Sequence, residues 1–174
     1  MKKICLVSIM IVVCLAAVSC GRSDSKPAAP PSAEIGAPAS DFMLRDLTGK
    51  EVSLSSYRGK VVLLEFWATW CPPCKAAVPD LIAVHRKFHD KGFTVVGISM
   101  DTDSNAALKV TDFSSAHNIN YPVLLADETV AQSYGVISIP ASYLIDREGR
   151  ITAVHMGYTA DYLNRVSAEI EKLL

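Results

Sequence analysis

Two cysteines separated by two prolines, in the run Trp70-Cys71-Pro72-Pro73-Cys74, are the residues of this chain best suited to chemistry. A free thiol is a weak nucleophile at neutral pH, because only the thiolate attacks. The N-terminus of a helix favours the thiolate, since its unpaired N–H groups and dipole attract negative charge. Cys71 stands where an apolar run ends and a helical segment begins, which predicts an N-cap position. Pro72 then takes the first helical position, where a missing N–H costs little. Cys74 falls one turn further on, close enough to close a disulfide with Cys71. That placement predicts an exposed attacking thiol at Cys71 and a more buried resolving thiol at Cys74, which attacks the mixed disulfide. The competing uses of the pair are half of a zinc site or two incidental cysteines. Structural zinc needs four ligands. The chain has no second pair, and His85, His89, His117 and His155 are scattered, so no metal is expected.

The other cysteines belong to a different part of the chain. Of five cysteines in 174 residues, Cys5 and Cys14 lie in an N-terminal segment with Lys2 and Lys3 ahead of an apolar run, Ile4 to Val18, broken only by Ser8. That run is shorter than the roughly 20 residues of a membrane-spanning helix. Residues 1–19 therefore read as a signal peptide; an uncleaved anchor would leave the rest of the chain on the same side of the membrane. The stretch Leu15-Ala16-Ala17-Val18-Ser19-Cys20-Gly21 resembles a bacterial lipoprotein signal, with Ala17 where that pattern usually has Leu. The resemblance implies lipidation at Cys20 and a stable tether, since more than one acyl chain is then attached. Gly21 in place of Asp points to the outer membrane under the enterobacterial sorting rule. Residues 20–34, with Lys26-Pro27-Ala28-Ala29-Pro30-Pro31-Ser32, form a semi-extended tether. Only Cys71 and Cys74 then remain in the folded part, residues 35–174. An exported compartment permits disulfides, yet no structural disulfide framework exists here, and one close pair reads as a working pair. The formal charge of −1 offers no basic footprint for nucleic acid; no nucleic-acid partner is expected, and the chain is expected to act as a monomer.

The pair must be positioned by the elements around it. Asp41 to Leu44 and Glu51 to Leu54 flank Thr48-Gly49, a hairpin signal. Lys60 to Phe66 and Phe93 to Met100 are short apolar runs suited to buried strands. Helices are predicted over Pro72 to about Asp90, Asn105 to about His117, Glu128 to Tyr134 and Ala160 to Leu174. Tyr121 to Leu125 is a short extended piece. Ser142 to Asp146 and Ile151 to Met156 are strands joined by the turn Arg147-Glu148-Gly149-Arg150. Early strands alternating with helices predict an α/β domain with a partly parallel sheet, an antiparallel late hairpin at its edge and helices on both faces.

The run Glu65-Phe66-Trp67-Ala68-Thr69-Trp70-Cys71-Pro72-Pro73-Cys74-Lys75 resembles the active-site segment of the thioredoxin superfamily. Pro79 matches that superfamily's proline inside the helix, and Ile139-Pro140 its cis-proline beside the dithiol. Phe42 to Leu54, Asn105 to Leu125 and Leu144 to Ile151 are similar to the TlpA/ResA-like branch, related to AhpC/TSA proteins, whose members are exported, membrane-tethered thiol–disulfide oxidoreductases. The resemblance spans about Ile35 to Leu174. It implies a thioredoxin-like fold with a central mixed sheet and an N-terminal β-hairpin extension. It also implies a cis Pro140 that lets the Ile139 backbone pair with an extended substrate, and supporting roles for Trp70, Pro72 and Pro73. Without it, an ordinary trans proline opening a strand would be the expectation for Pro140.

Glu65 departs from the branch, where a neutral residue is common. Thioredoxins proper carry a buried aspartate there that assists proton transfer to the resolving cysteine. Burial raises a carboxyl pKa, which suits Glu65 to general-base work on Cys74; a carboxylate snorkelling to the sheet edge is the alternative. Pro72-Pro73 departs too. Proline has no N–H, so the Cys74 N–H is the main donor left near the Cys71 sulfur. This predicts only a modestly lowered Cys71 pKa and a reducing couple. His85 and His89 share a helix face, read as solvated, and Asp101 and Asp103 are read as turn or capping residues.

These readings converge on a periplasmic, lipid-anchored protein-disulfide reductase with no dissociable cofactor beyond the Cys71–Cys74 disulfide. Its electrons are expected from a membrane thiol-transfer protein, and apocytochrome c is one substrate the resemblance suggests. Other directions of the same chemistry are a dithiol oxidase or isomerase. A metal-delivering module of the same fold would use CxxxC and a distant histidine. A peroxidase would need Thr three residues before the cysteine and Pro four before that, where this chain has Ala68 and Leu64.

Overall fold

The computed structural model describes residues 33–127 and 129–174. The signal peptide, Cys20 and residues 20–32 of the tether lie outside the described residues. At the centre is β3 (Val61–Trp67), all seven of whose residues are buried. Such a run, apolar but for Glu65, can only be an interior strand covered on both faces. Its parallel neighbour β4 (Phe93–Ser99) is buried along its whole length as well. Between them runs α1 (Pro72–Phe88), and α2 (Ala106–Ala116) joins β4 to the short parallel strand β5 (Val123–Leu125). Beyond β3 on the other side, β6 (Ala141–Ile145) and β7 (Ile151–Met156) are antiparallel. A one-turn helix α3 (Val130–Ser133) precedes β6, and α4 (Tyr162–Glu171) follows β7.

The N-terminal hairpin, β1 (Met43–Asp46) and β2 (Glu51–Ser53), turns at Gly49, whose φ of 86° only glycine adopts freely. The Asp46 carboxylate braces this turn by accepting from the N–H groups of Thr48 and Lys50. The hairpin is part of the main sheet: β1 pairs antiparallel with β5, giving seven strands in the order β2-β1-β5-β4-β3-β6-β7. The expected mixed sheet is therefore present, with the hairpin as its outer edge.

Helices cover both faces, but unequally. One face carries α1, α2 and α4, whose Leu81, Val84, Phe88, Val110, Val166 and Ile170 pack on Val61, Leu63, Val95 and Leu144. Among the described residues the opposite face has only α3 and a 3-10 turn at Leu54–Tyr57, and aromatic residues fill the space. There the rings of Phe66, Tyr134 and Tyr143 meet at centroid distances of 5.1 to 5.8 Å. Alternation along β3 explains the division: odd-numbered residues face the three-helix side, and Glu65 is one of them.

Candidate active site

Cys71 occupies the N-cap of α1 with extended backbone angles (φ −94°, ψ 108°), and Pro72 and Pro73 begin the helix. The cap bond comes from the Cys74 N–H, 3.3 Å from Cys71 Sγ. Prolines at the two positions between leave that N–H as the donor of the first turn nearest the sulfur. The two sulfurs are joined in a disulfide across a Cα separation of 5.3 Å. The helix continues through Pro79, and the Ile139–Pro140 peptide bond is cis. The Ile139 carbonyl oxygen stands 3.8 Å from Cys71 Sγ.

One expectation needs correction. Cys71 is not exposed: it retains 4% of its accessible surface and Cys74 1%. Bonded to Cys74 and walled by Ile139, the attacking sulfur is nearly as covered as its partner in this oxidised state. What is open lies beside it. Trp70 is 63% and Ile137 93% exposed. With Met100, Val136, Ser138 and Ile139 they line an open, mostly apolar hollow of about 450 Å³. Apolar side chains left in water around a reactive pair are the usual mark of a contact surface for another chain.

The loop carrying Trp70 is held from beneath by Asp101, which is buried. Its carboxylate accepts from Thr69 N–H (2.9 Å), Thr69 Oγ1–H (2.5 Å) and Ser99 Oγ–H (2.8 Å). The Met100 N–H closes the same corner by donating to the Trp67 carbonyl at 2.7 Å. A turn role for Asp101 was too modest, since it ties the end of β4 to the segment just before Cys71. Asp103 does act locally, accepting from Asn105 N–H and pairing with Lys109.

Glu65 is buried, as its strand required, and does not reach the sheet edge. It sits between Leu63 and Trp67, which share one core with Cys71 and Cys74. Across the sheet it faces Gly97 on β4 and Ser142 on β6, and Ser142 in turn faces His155 on β7. Ser142 Oγ–H donates to Glu65 Oε2. The Tyr162 hydroxyl lies 2.9 Å from Ser142 Oγ and 3.3 Å from the same Oε2. Burial pushes the Glu65 carboxyl up to about 7, with the two hydroxyls pulling in the opposite direction. Gly97 is small for a reason: a Cβ there would stand 3.0 Å from Trp67 Nε1 and 3.4 Å from the Tyr121 ring. Neither Ser142 nor Tyr162 carried a sequence signal, because their partner is 77 and 97 positions away.

Of the two histidines on the α1 face, His89 is exposed as expected and His85 is not. His85 is buried rather than solvated. Its ring packs 4.7 Å from that of His89 and 6.1 Å from that of Tyr121. Burial, helped by His89 and Lys60, lowers its pKa to about 4. The sequence held the signal, since positions 74, 77, 78, 81, 84, 85 and 88 form the buried stripe of α1. Among the described residues no three His, Cys, Asp or Glu side chains gather as metal ligands, and none of their helices is long and apolar enough to cross a membrane.

A dithiol at a helix N-terminus, a cis-proline loop against it and a buried acid on the central strand define a thiol–disulfide oxidoreductase of thioredoxin-like fold. Residues 35–154 match the AhpC/TSA family, and the chain belongs to that family. It is 34% identical over 122 residues to the thioredoxin-like protein YneN of Bacillus subtilis, covering 70% of this chain and 71% of that one. It is 33% identical over 137 residues to the thiol-disulfide oxidoreductase ResA of the same organism, covering 75% of each. Among solved structures, a thiol:disulfide interchange protein of the thioredoxin family from Chlorobium tepidum superposes with a TM-score of 0.71 at 27% identity. It covers 80% of this chain and 97% of that one. The thioredoxin domain of a Bacteroides vulgatus thiol-disulfide oxidoreductase gives 0.70 at 29% identity, covering 79% and 98%.

Proposed function

We propose that the protein is an exported reductase of protein disulfides, held by lipid on Cys20 at the periplasmic side of a bacterial membrane. Residues 1–19 act as its signal peptide, and the segment that follows as its tether. The observation that carries the catalytic part is the dithiol at the N-terminus of α1, in one core with Leu63 and Trp67, the residues of β3 that flank the buried Glu65. Cys71 thiolate attacks a substrate disulfide, forming a Cys71–substrate bond and releasing the other substrate sulfur as a thiolate. Glu65 takes the proton of Cys74. The Cys74 thiolate then attacks Cys71 Sγ, closing the internal disulfide and releasing the second substrate thiolate. The proton held on Glu65 passes to solvent or to a released sulfur. Two electrons move from the dithiol to the substrate, and no dissociable cofactor takes part. Another dithiol protein, a membrane thiol-transfer protein, returns the electrons. Apocytochrome c awaiting haem is a fitting substrate, as an exported chain with a close cysteine pair. The hollow beside Trp70 and Ile137 receives its extended segment, and the Ile139 backbone aligns it.

The reductive direction is supported by Pro72 and Pro73, which withhold two N–H donors from the Cys71 thiolate. A strongly oxidising couple requires a heavily stabilised thiolate. A peroxidase reading is disfavoured, since Leu64 and Ala68 are core residues with no hydroxyl or ring to offer. The test is mechanism-based trapping in cells. A Cys74→Ser variant should accumulate mixed disulfides on Cys71, released by dithiothreitol, and Cys71→Ser should accumulate none. Equal trapping by both variants would reverse or void the assignment of roles. Fatty-acid labelling lost in Cys20→Ala tests the anchor; labelling that persists removes it.

A further inference from the structure

We propose that Ser142 and Tyr162 are positioning residues that hold Glu65 by one carboxyl oxygen, Oε2, and so direct its proton to and from Oε1. This role rests on the proposed proton exchange between Glu65 and Cys74. Both hydroxyls converge on Oε2: Ser142 Oγ–H donates to it, and the Tyr162 hydroxyl lies 3.3 Å away while contacting Ser142 Oγ at 2.9 Å. No hydrogen bond among the described residues reaches Oε1. Each hydroxyl has one proton to give. Ser142 places its proton on Oε2, and Tyr162 points its own at Oε2 or at Ser142. An oxygen already accepting such donors is the weaker base of the two, and a proton on it would oppose them. Oε1 is left to pick up and give back the proton.

The fold fixes this arrangement from two sides. Ser142 faces Glu65 directly across β3 and β6. Tyr162 opens α4, and α4 is fastened two turns further on, where Glu169 meets the buried His155 at 2.7 Å. His155 is the residue facing Ser142 on β7, so both α4 attachments fall on one row of the sheet. The Tyr121 phenol ahead of β5 also bears on Glu65, and Trp67 lies on the same side of β3 two residues on. Burial pushes both phenols upward, so each stays neutral while Glu65 titrates. The same burial penalises the Glu65 carboxylate, and the two hydroxyls are what opposes it.

The experiment uses the full-length protein with Ser142→Ala, Tyr162→Phe and, as rescue, Ser142→Thr. Two readouts are taken. The first is the Glu65 midpoint by carbon NMR of glutamate-labelled protein. The second is the reaction of the reduced protein with 5,5′-dithiobis(2-nitrobenzoate) from pH 5 to 9. Attack by Cys71 releases the first nitrothiobenzoate and attack by Cys74 the second, so the second release reports on the Glu65 proton. Losing one hydrogen bond to the carboxylate should raise the Glu65 midpoint by about one pH unit in each variant. The second release should then slow about fivefold relative to the first at pH 7, recovering at higher pH. Ser142→Thr should restore both readouts. A Glu65 midpoint unmoved in Tyr162→Phe and Ser142→Ala, or a slowing that is the same at every pH, overturns the proposal. If Ser142→Ala does not fold, Tyr162→Phe carries the same decision. Glu65→Gln separates the two levels. A second release that keeps its pH profile in Glu65→Gln shows that Glu65 is not the proton acceptor. A profile lost there, with Glu65 midpoints unmoved in the hydroxyl variants, defeats the positioning role alone.

Discussion

Replacing Glu65 by Gln should make the oxidised protein more stable above neutral pH, although it removes the carboxyl proposed to serve the resolving thiol. Burial lifts the Glu65 carboxyl from its ordinary 4.5 to about 7. Moving a pKa by one corresponds to about 1.4 kcal/mol, so an ionised Glu65 costs the folded state about 3 kcal/mol. The sign follows from proton binding. Between pH 4.5 and 7 the folded chain holds a proton on Glu65 that the unfolded chain has released. Stability therefore falls as pH rises through that window and is level in this group on either side. Gln is neutral at every pH and nearly the same shape, so its curve lacks the fall. The two proteins should match near pH 4 and separate by about 3 kcal/mol at pH 8, or about 10 °C in melting temperature for a domain of this size. Urea unfolding of the disulfide-intact proteins at pH 4, 5.5, 7 and 8 measures the difference directly, and the other titrating groups cancel between the two. Parallel curves across the whole range would refute the reasoning, since Glu65 would then be no more protonated in the fold than outside it. The same variant should lose the pH-dependent rise of the resolving step.

Asp101→Asn should destabilise the chain by about 2 to 3 kcal/mol in urea and slow substrate reduction, because it weakens three hydrogen bonds that hold Thr69 and Ser99; a variant of unchanged stability and rate removes the bracing role. Trp70→Ala should leave stability within about 0.5 kcal/mol, as expected at an exposed position, while raising KM for a protein disulfide; an unaltered KM detaches the hollow from substrate binding. Pro73→Ala restores an N–H in the first turn beside Cys71 Sγ and should make the couple more oxidising in a dithiothreitol buffer; a potential that is unchanged or more negative removes the proline argument for direction.

What could be read in the sequence was what is local along it. Cys71, Cys74 and the helix that caps between them are adjacent in the chain, so spacing alone placed them, and β3 announced its burial through an uninterrupted apolar run around Glu65. The partners of these groups were hidden because folding supplies them from far away. Ser142 and Tyr162 come to Glu65 across β6 and α4, and Asp101 comes to Thr69 from the end of β4. The burial of Cys71 depends on Ile139, 68 positions on. His85 was misplaced for another reason. The spacing of His85 and His89 shows a shared face but not which face, and only the apolar stripe on either side of His85 tells that it turns inward.

The midpoint potential of the Cys71–Cys74 couple bears most directly on the proposal that this dithiol reduces its substrates. Equilibration in graded dithiothreitol or glutathione buffers, with the thiols counted by alkylation, should place it toward the thioredoxin value of about −270 mV. A potential near the strongly oxidising end, about −120 mV, would contradict a reductase and make the protein a donor of disulfides instead.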